Sequence, residues 1–274
     1  MTQPIQSVDA MTVKTCCAAL YESDWTKLLL GDSFHPGGLA LTERLGVLLK
    51  LDAHSRVLDV AAGKGTSAIF LAQIFGCQVV GIDYGARLVA QATAAAQQAG
   101  LAERVEFKQG DAEALAFANG EFDAVICECA FCTFPNKTTT ATEFARVLRP
   151  GGCIGLSDLT RTAPLPQELE TLLAWIACIA DAQPLEEYVA YLEGTGFTGI
   201  ETERHDDALV DMVNAIRAKL LGAELLVKLK KVNLPTVDFE HTKTLARSAA
   251  ETIRAGKLGY AAIVGIKPSK VSHH

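Results

Sequence analysis

The sequence predicts an α/β fold in which a mostly parallel sheet is doubly wound, with helices on both faces. Three observations carry this expectation. Strand-like and helix-like segments alternate through the middle of the chain, at 56–60, 66–75, 78–82, 85–99, 104–108, 122–127, 137–148 and 152–157. Three successive strands end in small or acidic residues: the turn Ala61 to Gly65, then Asp83, then Asp111. These ends share the edge where open parallel sheets take ligands. Finally, 274 residues with a 49% hydrophobic share suffice for one large α/β domain with decorations.

The chain is organised around Arg56 to Thr66. Val57 to Val60 reads as a buried strand, and Thr66 to Phe75 as the helix that follows. The turn between them has no bulky side chain, so a ligand can lie against bare backbone beside a helix N-terminus. Asp83 lies about 20 residues further on, where an acid can bind ribose hydroxyls. Ala86 to Gln98 is Ala-rich and helical, and Gly100 stops it.

Before this core, Val13 to Leu30 reads as a helix carrying Cys16, Cys17, Tyr21 and Trp25, and Gly31 to Ser33 breaks it. Phe34 to Gly38 is a turn-rich loop, and Leu39 to Leu49 a second helix. After the core, Gln167 to Ala180 reads helical and includes Trp175 and Cys178. Leu185 to Leu192 is a further helix, Phe197 to Glu203 a sixth strand, and Tyr260 to Ile266 the last. Between those strands stand helices at Ala208 to Lys231 and Thr242 to Arg254. The domain boundaries that follow are an N-terminal helical lid at 1–50, a core at 51–206, a helical insertion at 207–256 and the last strand at 257–270. The insertion either covers a substrate pocket or forms a homodimer surface.

A formal net charge of -7 disfavours a nucleic-acid partner. No apolar stretch reaches membrane-spanning length, and residues 1–12 lack a secretory pattern, so a cytoplasmic location is expected. The eight cysteines are then expected to be reduced, and their spacings make no four-ligand zinc signature.

Leu58-Asp59-Val60-Ala61-Ala62-Gly63-Lys64-Gly65 resembles the glycine-rich motif of class I S-adenosylmethionine-dependent methyltransferases, with Ala61 in place of its first glycine. Gly81-Ile82-Asp83 resembles that family's ribose-binding motif, and Gly110-Asp111-Ala112 the motif whose acid binds the adenine amino group. Phe122 to Ile126 and Leu148 to Gly152 resemble its fourth strand and the turn into its fifth. The resemblance spans about residues 38–160 in order. It implies a Rossmann-like seven-stranded sheet that ends in an antiparallel hairpin. It also implies S-adenosyl-L-methionine as cofactor, held by Asp59, Ala61, Gly63, Gly65, Asp83, Tyr84, Asp111, Ala112 and Cys127. The acceptor implied is a small molecule.

The loop after the fourth strand faces the methyl group in this family, and here it reads Cys127 to Pro135. It is not the Asn-Pro-Pro-aromatic loop of enzymes that methylate DNA bases or protein amides. Cys127 and Cys129 share one face if the strand continues, with Glu128 on the other. Cys16-Cys17 suits soft ions or metalloids as thiolates, and Cys178 is read as facing the cleft. A narrower resemblance is to arsenite methyltransferases, which carry cysteines in comparable regions; it nominates Cys16, Cys17, Cys129 and Cys178 as the catalytic thiols. Two alternatives stay open. One is a small organic carbon, oxygen or nitrogen acceptor such as a quinone, with Glu128, His35 or Asp158 as base and cysteines that only pack. The other is a non-catalytic metal- or redox-sensing protein on the same fold.

Overall fold

The computed structural model describes residues 9–22, 35–169, 178–179, 181–229 and 239–269. One seven-stranded sheet runs in the order β3-β2-β1-β4-β5-β7-β6. Its strands are β1 (Arg56–Val60), β2 (Gln78–Asp83), β3 (Val105–Gln109), β4 (Phe122–Glu128), β5 (Leu148–Arg161), β6 (Thr198–Arg204) and β7 (Leu258–Ile266). The first five pair in parallel, and β7 is antiparallel to both β5 and β6. The described helices are α1 (Ala10–Tyr21), α2 (Gly38–Leu48), α3 (Thr66–Phe75), α4 (Ala86–Gln98), α5 (Lys137–Val147), α6 (Leu185–Gly194), α7 (Asp206–Lys228) and α8 (Phe239–Arg254).

The central strands are apolar because both their faces are covered. Val57 and Leu58 of β1, and Val125, Ile126 and Cys127 of β4, are fully buried. The order reverses at β1, whose neighbours are β2 and β4. The crevice therefore opens at the carboxyl ends of β1 and β4, a topological switch point. The doubly wound seven-stranded sheet expected from the sequence is present.

Three local expectations change. The first helix ends at Tyr21, and Trp25, Leu28, Leu29, Phe34 and Gly31 to Ser33 lie outside the described residues. The helix expected over 167–180 does not reach Cys178, whose φ is +62°, a left-handed backbone that a right-handed helix excludes. A single 3₁₀ turn stands at Gln167–Leu169, and 170–177, with Trp175, lie outside the described residues. The fifth strand is longer than expected, because β7 pairs with it from Cys153 out to Arg161. Among the described residues no helix is long and apolar enough to cross a membrane.

Candidate active site

The turn from β1 to α3 is shaped by left-handed residues at Ala61 (φ +60°), Gly63 (+56°) and Gly65 (+77°). Ala61 thus keeps the conformation that glycine adopts more readily. At Gly65 a Cβ would run into the Phe107 ring and stand 2.9 Å from Ala92 Cβ, so close packing as well as φ requires glycine there. Asp83 braces the turn from β2: its Oδ2 accepts from Gly63 N (2.9 Å) and its Oδ1 from Gly85 N (2.8 Å). Burial raises the Asp83 pKa, and those two N–H donors oppose the rise. Asp59 is buried behind the turn, and its Oδ2 has no hydrogen-bond partner. Burial, then the neighbouring Glu128 and Asp83, push its pKa well up.

A cleft with about 860 Å³ of empty space, its mouth included, opens in front of this turn. Ala61, Gly63, Asp83, Tyr84, Asp111 and Ala112 line it. Helix α1 spans it as a strap. Lys14 Nζ binds Asp111 (Oδ2 2.8 Å, Oδ1 3.0 Å) and Glu113 (2.8 Å), and Tyr84 Oη donates to Met11 Sδ (3.1 Å). Cys127 was expected among the cofactor residues, but its thiol is fully buried within β4; Glu128 and Cys129, which follow it, reach the cleft. Glu128 is held by Ser67 and Thr42. Only the polar Thr42 within the apolar stripe Leu41, Leu45 of α2 signals it in the sequence.

Beyond β4 the chain turns sharply at Cys129 (φ +52°), whose N–H donates to Ser157 O (2.6 Å). Next, Cys132 N donates to Asp158 Oδ2 (2.9 Å), while Leu159 N holds Oδ1 (2.8 Å). These bonds bring the loop onto Cys178. Cys178 Sγ–H donates to Cys129 O (2.9 Å), Cys132 Sγ–H to Cys178 O (3.6 Å), and Tyr21 Oη lies 3.8 Å from Cys178 Sγ. The thiols of Cys129 and Cys132 and the Tyr21 hydroxyl all face the Cys178 sulfur and lower its pKa well below the usual thiol value. The Cys129 thiol is pushed up by its bond to Cys178 and then by burial, and that of Cys132 by burial and then by Cys178. Burial, then Cys178, raises Asp158 to about 7.

The structure therefore joins two of the nominated thiols, Cys129 and Cys178, and adds Cys132. Cys178 does not face the cleft: it is fully buried, and Cys129 stands between it and the cleft. Cys16 is half-buried on α1 and is not among the groups that face the Cys178 sulfur. The Cys17 side chain lies outside the described residues. No cluster of His, Cys, Asp and Glu among the described residues is arranged to hold a metal ion.

Residues 57–152 match a protein family described as a methyltransferase domain. An uncharacterized protein of Mycobacterium tuberculosis is 36% identical over 155 residues, covering 54% of this chain and 56% of that protein. An arsenite methyltransferase of Halobacterium salinarum is 30% identical over 155 residues, 56% of this chain and 39% of that protein. The chain thus spans little more than half the length of these curated mycobacterial relatives. Among solved structures, a putative sarcosine dimethylglycine methyltransferase from Galdieria sulphuraria superposes with a TM-score of 0.72 at 23% identity, covering 85% of this chain and 87% of that one. Residues 57–152 thus carry a methyltransferase domain, set in the sheet order of the class I S-adenosylmethionine-dependent methyltransferases that the sequence resembles. Within that class the chain bears a partial resemblance to the arsenite methyltransferases.

The cofactor of this class is S-adenosyl-L-methionine. The residues present fit it: a turn with no side chain at Gly63 on the cleft wall and close packing at Gly65, an acid at the end of β2, and a buried acceptor without a partner at Asp59.

Proposed function

We propose that this chain methylates a small soft nucleophile, arsenite or a similar thiophilic centre, held by Cys129 and Cys178. The observation that carries the reading is the thiol cluster against the cleft, with Cys129 belonging to both. Asp83 is suited to the ribose hydroxyls, Asp111 to the adenine amino group, and the 61–65 backbone to the amino-acid end. Bound there, S-adenosylmethionine supplies an electrophilic methyl group on a sulfonium, a transfer that needs alignment and exclusion of water more than covalent help. The chain's own part is acceptor binding. Two thiols condense with arsenous acid, forming two As–S bonds and releasing two waters, which leaves the arsenic lone pair free to be alkylated. Cys129, Cys132 and Tyr21 around the Cys178 sulfur favour its thiolate, the form that binds soft centres, once the proton it gives to Cys129 O is released. Asp158 fixes the loop that carries Cys132 through the Cys132 N–H.

The test is a methyl-transfer screen with labelled S-adenosylmethionine across arsenite, selenite, small thiols and quinones. Label is expected on arsenite. Cys129→Ser and Cys178→Ser should each lower that turnover at least about 100-fold, with affinity for S-adenosylhomocysteine kept within about twofold. Transfer to a quinone alone, unchanged in both Ser variants, would overturn the soft-acceptor reading and favour the organic one.

A further inference from the structure

On the side of Glu128 away from the thiols lies a second buried cluster, built from four segments of the chain. Ser67 Oγ, at the start of α3, donates to Glu128 Oε2 (2.6 Å). Thr42 Oγ1, from α2, lies 3.1 Å from both carboxylate oxygens. His35 Nε2, from the loop before α2, is 3.6 Å from Oε2. The Glu128 and His35 side chains are only 4% and 7% exposed, yet Glu128 lines the cleft.

Counting hydrogens fixes the roles. Each hydroxyl has one hydrogen; Ser67 gives its own to Glu128, and Thr42 lies closer to Glu128 (3.1 Å) than to Gly38 O (3.5 Å). His35 Nε2 also faces Ser67 Oγ (3.4 Å) and Thr42 Oγ1 (3.5 Å), which then have no hydrogen left to give it. The nitrogen is therefore the donor. His35 Nδ1 faces Pro36 O (3.2 Å) on the other side of the ring. Ser67, Thr42 and His35 thus hold Glu128 as an acceptor, the buried Asp59 carboxyl is its acidic neighbour, and the N-terminus of α3 favours an anion there. Glu128 Oε1 accepts from Thr42 alone among the described residues, which leaves acceptor capacity on a residue of the cleft wall.

An acceptor without spare donors around it selects a ligand that brings N–H groups and positive charge. The sulfonium of the cofactor has no N–H, whereas its amino-acid end carries a primary ammonium. Resting on the S-adenosylmethionine reading above, we propose that Glu128 accepts from that ammonium and that His35 is the positioning residue that orients Glu128 for it. The pair makes the protein distinguish the complete cofactor skeleton from the same nucleoside without its amino-acid end.

Calorimetric titration with S-adenosylhomocysteine and with 5′-methylthioadenosine, which lacks the amino-acid end, tests this. In Glu128→Gln the affinity for S-adenosylhomocysteine should fall about 10- to 100-fold while that for methylthioadenosine moves less than about twofold. His35→Ala should lose part of the same discrimination, and His35→Gln, which restores an N–H donor, should recover some of it. Ser67→Ala provides a milder variant that keeps the fold, with a few-fold loss of the ratio between the two ligands. Equal loss of both ligands in these variants, or loss of neither, overturns the proposal. A parent protein that binds neither ligand overturns the cofactor reading itself.

Discussion

The two sides of the Glu128–Cys129 step hold opposite chemistries. On one side hydroxyls and an imidazole surround a carboxylate, with hydrogen bonds as short as 2.6 Å. On the other, sulfur atoms meet carbonyls and a phenol at 2.9 to 3.8 Å, next to a buried carboxyl group. One side suits a compact cation with N–H groups, the other a soft, polarisable centre. A single peptide unit separates them, so the proposed cofactor anchor and the proposed acceptor site adjoin. Backbone strain follows the same division. Of the four described non-glycine residues with positive φ, Ala61 belongs to the cofactor turn, while Cys129 and Cys178 belong to the thiol side. This contrast can be broken from either side.

The largest effect is expected on the thiol side, at Asp158. Burial, then Cys178, raises its folded-state pKa to about 7, against about 3.9 for an unfolded aspartate. The folded state therefore holds the proton more tightly. Whatever Asp158 contributes to stability is greatest below about pH 4, falls as pH rises toward 7, and is level above that, spanning about 4 kcal/mol at most. Asp158→Asn removes this slope. Its stability relative to the parent should rise between pH 5 and pH 7 and level off toward pH 8 in urea titrations, even if a mismatch with the Cys132 and Leu159 N–H donors lowers it at pH 5. A constant difference across that range would show that the thiol side is well solvated, and the contrast with the Glu128 side would lose its basis.

The cofactor side was more legible in the sequence than the thiol side, for a physical reason. A strand, a small-residue turn and a helix follow one another along the chain, so Gly63, Gly65 and the strand-ending acids Asp83 and Asp111 are local signals. The thiol cluster is assembled across the fold. Cys132 falls within the loop Cys127 to Pro135, and only the Asp158 bond to its N–H turns it toward Cys178. Apolar periodicity extended a helix through Cys178, whereas its left-handed backbone is set by tertiary contacts. His35 and Glu128 were each weighed as a lone base, because nothing in the sequence joins residues that lie 93 positions apart. What brings them together is the stacking of α2 and α3 against the end of β4.

A smaller effect should mark the cofactor turn. Ala61 holds φ +60°, where glycine carries no Cβ penalty. Ala61→Gly should gain stability of about 1 kcal/mol or less, because the greater freedom of glycine in the unfolded chain offsets part of the relief. Urea midpoints would read this directly. A loss would mean that the Ala61 methyl packs in a way that outweighs its backbone strain, and that the turn is less strained than its φ implies.

The smallest effect belongs to the strap across both sides. Lys14 joins α1 to Asp111 and Glu113, with side chains 15%, 33% and 16% exposed. Water and salt screen such a pair, so Lys14→Ala should cost about 0.5 kcal/mol of stability. Asp111 is also the proposed acceptor for the adenine amino group, so Lys14 both neutralises that acid and closes the strap over it. Removing the lysine should therefore move the affinities for S-adenosylhomocysteine and methylthioadenosine together, by two- to threefold, since both ligands carry the adenine. Raising the salt concentration should shrink the difference between variant and parent. A change confined to S-adenosylhomocysteine would place the influence of Lys14 at the amino-acid end, where the contrast assigns only Glu128 and His35.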